Sequence, residues 1–211
     1  MNAIRTVFFA AIVLMIAAAI PGYIFAADFE ITPFAGYTWG GEFTETTTGN
    51  KLTVNENSNY GIMLDFKQPD DAQIELYYSR QATRLQSKAS GSYTGTPLFD
   101  LDIDYIHIGG TTSLGEGKVK PFLVGTLGVT YMAPKGAGLD SATKFSLSLG
   151  GGAKILFTDH IGLRLEGRWF GTFFDGSGQA FCSSSSGQCL IKVQGDVFSQ
   201  FVANAGIIFA F

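Results

Sequence analysis

The sequence predicts an all-β fold, an eight-stranded antiparallel up-and-down transmembrane β-barrel. Three observations lead to this prediction. Apolar and polar residues alternate along eight segments, the connections between these segments are alternately short and long, and the ionisable residues of the segments share one parity. The composition agrees, because 46% of the 211 residues are hydrophobic and only 15% are charged, compared with about 25% in a typical soluble domain.

The beginning of the chain is typical of a secretory signal peptide. A basic residue and the amino group are followed by an unbroken apolar run over residues 8–20, and then by small residues that end at Ala26 and Ala27. The apolar run is shorter than a spanning helix, which argues against an uncleaved anchor. We therefore expect a signal peptide over residues 1–26 and the barrel over residues 27–211.

Eight segments of the remaining chain have the two-residue period of strands. They cover residues 29–39, 60–66, 74–78, 101–105, 121–131, 145–157, 161–169 and 201–211. The first three alternate aliphatic and aromatic residues with polar or small ones, and the fourth interleaves Asp with Leu, Ile and Tyr. The fifth and sixth are rich in Gly, Ser and Thr between apolar residues, the seventh interleaves Arg and Glu with Ile, Leu and Trp, and the eighth ends on alternating Ile and Phe.

The connections between these segments differ in length in strict alternation. The short connections are residues 68–71, 115–117 and 158–160, and the long polar ones are roughly residues 40–57, 81–97, 133–143 and 174–194. Short turns at one end and long loops at the other are typical of barrels in the bacterial outer membrane. A soluble barrel has no reason to separate its loops in this way.

The ionisable residues of the strands predict which face points inward. They share one parity and are Glu75, Asp102, Asp104, Lys120, Lys154, Arg164, Glu166 and Arg168. The opposite parity is apolar with aromatic residues near the strand ends, as expected for a lipid-facing wall. The interior of an eight-stranded barrel is just wide enough for side chains to fill, and an unpaired charge there is expensive. We therefore expect a structural ion network, with a proton or ion path as the alternative.

In the fourth strand the alternation of apolar and polar residues changes parity after Tyr105. Ile106 and Ile108 fall on the predicted inward side, and His107 falls on the side that faces lipid. We expect His107 to be an interfacial or bulge residue.

The two cysteines predict a disulfide in the fourth long loop. Cys182 and Cys189 are close in sequence, and an exported protein meets an oxidising compartment. A metal site at the cysteines lacks partners, because the two histidines, His107 and His160, are distant in sequence. The polar residues around Asp140 are too sparse for calcium, so we expect neither a metal nor a cofactor.

Three segments resemble the outer-membrane β-barrel family that includes the OmpA transmembrane domain, OmpX and the opacity-type surface proteins. They are residues 121–128, 148–154 and 158–168, with a glycine-rich strand, a tight turn and an alternating Leu-Arg-Leu-Glu strand. The resemblance implies an outer-membrane location in a Gram-negative envelope. It also implies a role as a structural protein, adhesin, small pore or surface antigen.

The last strand also resembles a recognition element of this family. Ile207, Phe209 and the terminal Phe211 lie on one parity, as in the C-terminal signal that outer-membrane proteins present to the barrel-insertion machinery. The resemblance therefore implies that machinery as a partner.

The sequence favours a non-enzymatic barrel with a structural role or a loop-mediated surface role. Outer-membrane lipid, lipopolysaccharide and an extracellular ligand at the long loops are the expected partners. Nucleic acid is excluded, because the formal charge is -4 and no cluster of Lys and Arg is present.

Three alternatives remain. A narrow pore or hydrophobic-solute conduit is disfavoured by the inward apolar residues Phe122, Val124, Val202 and Ile208. A lipid A-modifying enzyme needs a Ser–His–acid arrangement, which cannot be placed in this sequence. A soluble lipocalin-like barrel would need the two faces to be reversed.

Overall fold

The computed structural model describes residues 29–44, 51–69, 71–87, 97–115, 117–135, 139–174, 179–182, 189–192 and 197–211. The predicted signal peptide lies outside these residues and stays a prediction. No helix within the described residues is long and apolar enough to cross a membrane.

The described residues form strands in the following order. The strands are β1 (Phe29–Gly40), β2 (Glu42–Thr44), β3 (Lys51–Val54), β4 (Asn57–Lys67), β5 (Ala72–Ser87), β6 (Pro97–Ser113), β7 (Val119–Lys135), β8 (Ala142–Leu156), β9 (Ile161–Phe173), β10 (Gln179–Cys182), β11 (Cys189–Lys192) and β12 (Val197–Ala210). All eight predicted strands are present, although the predicted segments 145–157 and 201–211 end one residue beyond β8 and β12.

Eight of these strands close into an antiparallel barrel, which confirms the predicted fold class. In order around the wall they are β1, β4, β5, β6, β7, β8, β9 and β12, and β12 then pairs with β1. The last pairing sets Phe34 opposite Gly206 and Trp39 opposite Phe201. Closure satisfies backbone groups that would otherwise be unpaired in lipid.

The short connections lie at one end of the barrel and are tight turns. Gln68 donates its backbone N–H to the carbonyl of Ala72 at 2.8 Å, and Phe157 donates to Ile161 at 2.9 Å. Asp71 takes a positive φ of 55°, a conformation that Asp tolerates in turns. We call this the periplasmic end, because short turns face the periplasm in such barrels.

The strands extend further at the opposite, extracellular end than the alternation predicted. β5, β6 and β7 contain 16, 17 and 17 residues, and β5 continues to Ser87 through much of the expected long connection over 81–97. A membrane-spanning strand needs only about 9–11 residues. These three strands therefore form a tall wall that continues beyond the bilayer.

A short hairpin completes the tall part of the barrel. β4 begins only at Asn57, and above that residue β3 pairs with β5 in its place, with Leu52 opposite Ser87. β2 pairs with β3 after a turn at Gly40 and Gly41, whose φ angles of 82° and 102° favour glycine.

The two faces of the membrane-spanning part are oriented as the sequence predicted. On β9, Arg164 is 1% exposed while its neighbour Leu165 is 43% exposed, and Ile207 on β12 is 51% exposed. Aromatic side chains are exposed at both ends of this apolar outer band, including Tyr60, Tyr78, Phe145, Phe157 and Phe211. The outer wall is thus suited to lipid and the interior to charge.

Strand β6 departs from the predicted orientation along its whole length. Leu101, Ile103 and Tyr105, which were expected to face lipid, are buried in the interior core, and Ile106 and Ile108 are exposed. Asp102 and Asp104 consequently lie on the outward parity. The first half of β6 lies above the apolar outer band, where charged side chains can face water on the outside while apolar side chains fill the interior.

Candidate functional site

A cluster of ionised side chains fills the periplasmic half of the lumen. Arg164 donates from Nη1 to Asp65 Oδ2 at 2.9 Å and from Nη2 to Glu75 Oε2 at 2.6 Å. Arg168 donates from Nε to Glu166 Oε1 at 2.7 Å and from Nη2 to Glu75 Oε1 at 2.8 Å. All five side chains are buried, and Arg164 also contacts Glu166. The sequence had not assigned Asp65 to this cluster.

The cluster continues toward the periplasmic end through Lys154. Its Nζ contacts Glu30 Oε2 and Gln73 Oε1, and it lies 3.6 Å from Asp65 Oδ2. Lys120 is directly opposite Lys154 in the β7–β8 register, but we find no ion pair for Lys120 within the described residues. Lys120 instead lines a cavity of about 310 Å³ at the periplasmic mouth, together with Glu30 and Gln73.

The middle of the lumen holds a smaller cluster of neutral polar groups around His107. Nε2 of the imidazole lies 2.8 Å from Ser146 Oγ, and Nδ1 lies 3.0 Å from Thr126 Oγ1. Thr126 in turn lies 2.6 Å from Ser148 Oγ. His107 therefore faces the interior, and the expectation that it is an interfacial or bulge residue was wrong. The ladder of β6 continues in register past it.

The contact between His107 and Ser146 has the form of a base beside a nucleophile. The sequence could not reveal it, because the two residues lie on different strands and are 39 positions apart. Three features argue against activation of the Ser146 hydroxyl by His107. The second ring nitrogen of His107 contacts a hydroxyl and not a carboxylate, and both side chains are buried. The ring also packs edge-on against Phe170, at a centroid distance of 5.2 Å.

Apolar side chains close the extracellular end of the lumen. They are Phe43, Leu52, Val54, Leu85, Leu101, Ile103, Met132, Phe170, Phe174 and Phe198. The rings of Phe43 and Phe198 stack with centroids 4.5 Å apart, and Phe174 packs edge-on against Phe43 at 5.5 Å. The hairpin of β2 and β3 supplies three of these residues. We call this set the extracellular plug.

A second group of ion pairs lies on the outer surface of the tall wall, just above the apolar band. Arg80 contacts Asp102, Lys135 Nζ lies 2.7 Å from Asp102 Oδ1, and Arg84 Nε donates to Asp100 Oδ1 at 2.7 Å. This arrangement corrects the expectation that Asp102 belongs to the interior network.

Asp104 joins the same outer group and is likewise not part of the interior network. The hydroxyl of Tyr78 donates to Asp104 Oδ1 at 3.1 Å, and Arg80 lies 3.9 Å from the same oxygen. Burial by itself would raise the pKa of the Asp102 carboxyl, but the adjoining Lys135 and Arg80 outweigh burial and hold that pKa below its usual range. Asp102 therefore acts as a counter-charge for Arg80 and Lys135.

The remaining predicted site residues lie at the two ends. Cys182 and Cys189 are directly opposite each other in the β10–β11 hairpin, but their side chains lie outside what the structure describes, so the disulfide stays a prediction. Ile207, Phe209 and Phe211 face outward, and Phe211 stacks on Phe29 at 4.8 Å. Their role as an insertion signal stays a prediction. No group of three or more potential metal-ligating side chains was found among the described residues.

Comparison with solved structures agrees with this architecture. The fold resembles the crystal structure of Neisserial surface protein A, with a TM-score of 0.55 and 14% identity over 87% of this chain and 97% of that one. It also resembles the solid-state NMR structure of the outer membrane protein AlkL in lipid bilayers, with a TM-score of 0.51 and 11% identity over 88% of this chain and 90% of that one. No protein-family model and no curated protein sequence matches the chain.

The fold is therefore that of the eight-stranded outer-membrane β-barrels. A closed barrel with an apolar outer band and buried charges inside is built for a lipid bilayer. The chain is a small outer-membrane barrel protein.

Proposed function

We propose that the protein is a non-enzymatic barrel with a closed lumen, and that it acts through its extracellular surface. One observation carries the proposal: ion pairs fill the periplasmic half of the lumen, and the extracellular plug fills the other end. A filled lumen favours a structural or surface role over a channel, because side chains occupy the space that water would need.

The extracellular part of the barrel is a suitable platform for binding. Strand β5 continues for nine residues past Tyr78, the last outward aromatic residue of its apolar band, which corresponds to roughly 30 Å of strand. Such an extension carries the long loops away from the lipid headgroups on a rigid support. Loops on a rigid scaffold are common sites of recognition. An extracellular ligand at the loops is thus the favoured partner, alongside outer-membrane lipid and the insertion machinery.

The non-enzymatic assignment is supported by the burial of the His107–Ser146 contact. A general base and its nucleophile must reach a substrate, and both of these side chains are enclosed by the wall and by Phe170. The ordinary role of such a cluster is to satisfy polar groups within the lumen.

Two measurements test the proposal. The full-length refolded protein is placed in planar lipid bilayers, where we expect no steady single-channel openings. Cells that display the protein are then compared, in a host-surface binding assay, with cells that display a variant in which a part of each long loop that lies outside the strands (residues 45–50, 88–96, 136–138 and 183–188) is replaced by a short linker. Steady openings would favour the pore or solute-conduit alternative, and binding that survives the loss of all four loops would contradict the surface role.

A further inference from the structure

The outer ion pairs of the tall wall form an ordered patch in three rows. The strand register sets Arg84, Asp100 and Lys135 side by side in the upper row. The middle row is Ala82, Asp102 and Ala133, and the lower row contains Arg80, Asp104 and Tyr131. Small alanines lie on both sides of Asp102, and Arg80 and Lys135 reach over it from the rows below and above. We call Arg80, Arg84 and Lys135 the basic patch.

The basic side chains of this patch are outermost, and most of their counter-charges lie beneath them. The side chains of Arg80, Arg84 and Lys135 are 37%, 52% and 58% exposed, while that of Asp102 is 5% exposed. Asp100, beside Arg84, is the exposed acid of the group. An approaching molecule therefore meets mainly positive charge, although the pairs are nearly balanced in number.

The basic patch has more N–H donors than the ion pairs described above use. A guanidinium has five N–H donors and an ammonium has three. Arg80 uses Nη2 for Asp102 and directs Nε toward Asp104, and Lys135 makes one contact with Asp102. A shallow cleft of about 410 Å³ lies beside the patch and includes Ala82, Arg84, Asp100 and Lys135 in its lining, with Glu56 as a further acid.

The height of the patch matches the headgroups of the outer leaflet. On β5 the outward residues Ile74, Leu76 and Tyr78 belong to the apolar band, and Arg80 is the next outward residue. Two residues of strand correspond to about 7 Å, so Arg80 lies just above the acyl chains. Tyr60 is directly opposite Arg80 on β4, as expected at a membrane interface.

We propose that the basic patch binds the phosphate groups of the outer-leaflet glycolipid, lipopolysaccharide. Planar guanidinium groups bind phosphate through paired hydrogen bonds, and a lysine adds a point charge. The exposed parts of the three basic side chains, and not the covered carboxylate of Asp102, would contact the phosphate. The proposal depends on the outer-membrane placement above and gives the lipid partner defined residues.

The test uses full-length protein refolded in detergent and titrated with bisphosphoryl or monophosphoryl lipid A, with native mass spectrometry as the readout. The wild-type protein should bind the bisphosphoryl form more tightly. The triple variant Arg80→Ala, Arg84→Ala, Lys135→Ala should bind it at least about tenfold more weakly, which corresponds to the loss of about one charge-assisted hydrogen bond. The preference between the two lipids should disappear in this variant.

Two further variants separate lipid binding from a structural role. Asp102→Asn removes the buried counter-charge and should tighten binding of bisphosphoryl lipid A, whereas a purely structural patch would show no gain. Lys51→Ala removes an exposed base that is paired with Glu42 on the same rim but outside the patch, and binding should be unchanged.

The proposal is overturned if the triple variant binds both forms of lipid A as tightly as the wild type while keeping its heat-modifiable gel mobility. Weaker binding by Asp102→Asn would also contradict it. Failure of the wild-type protein to show heat-modifiable mobility, or to fractionate with outer membranes, would instead reject the barrel placement itself.

Discussion

Removal of Arg164 is the most informative perturbation of the interior, because this side chain joins three carboxylates. In Arg164→Met, Asp65 loses a partner at 2.9 Å and Glu75 loses one at 2.6 Å, while Glu166 keeps its contact with Arg168. Breaking a buried ion pair typically costs about 3–5 kcal/mol. Arg168 still neutralises part of the negative charge of Glu75 and Glu166. We therefore expect a loss at the lower end of this range, about 3 kcal/mol in the free energy of unfolding.

The assay is reversible urea unfolding of the barrel in phosphatidylcholine vesicles, followed by the fluorescence of the two tryptophans. The matched control is Lys51→Ala, which breaks an exposed pair and should cost only about 0–1 kcal/mol. Adding Asp65→Asn to Arg164→Met should recover part of the loss, because it removes a buried carboxylate whose remaining basic neighbour, Lys154 Nζ, is 3.6 Å away. A loss below about 1 kcal/mol for Arg164→Met, equal to that of the control, would refute the structural role of the network.

Four other predictions follow from the same structure. Gly152→Ala should prevent normal folding, because the added Cβ would lie 1.9 Å from the carbonyl oxygen of Leu165. Gly167→Ala should be tolerated, because no atom lies within 4 Å of the position of its Cβ. The refolding yield, measured by gel mobility, distinguishes the two variants. Phe43→Ala should cost about 3–5 kcal/mol by opening a cavity in the extracellular plug, and equal unfolding midpoints for variant and wild type would contradict this. Because its partners keep the pKa of Asp102 low, this group stabilises the fold at neutral pH. The contribution is lost as the pH falls below about 4, the ordinary value for Asp, toward the lower pKa of the folded state, so the acid sensitivity of unfolding should be smaller in Asp102→Asn. Cells expressing the protein should take up no more of a small hydrophilic dye than cells without it, and rapid uptake would argue against a closed lumen.

The sequence alone predicted the strands and most of the interior, because a two-residue period converts directly into two faces. Arg164, Glu166 and Arg168 could be placed inside, since apolar residues separate them along the strand. The same rule failed for Asp102 and Asp104, because it assumes lipid outside at every height. Above the bilayer the outer face is in contact with water, so charge no longer marks the interior.

The partnerships between strands could not be predicted, because they depend on register around a closed wall. Asp65 contacts Arg164 across 99 positions of sequence, and His107 contacts Ser146 across 39. Nothing in either local pattern distinguishes these pairings from others of the same parity. The extracellular plug was missed for a similar reason, since Phe43 reaches it only through the turn at Gly40 and Gly41.

The orientation of the membrane-spanning strands is the claim on which the account depends, and site-directed spin labelling tests it most directly. With both native cysteines replaced by serine, single cysteines at Leu163, Leu165 and Ile207 carry a nitroxide in a lipid bilayer. Collisions with dissolved oxygen should be frequent at all three positions and collisions with a water-soluble nickel chelate rare. Labels at these positions that collide with the nickel chelate and not with oxygen would place them in an aqueous lumen and contradict the account.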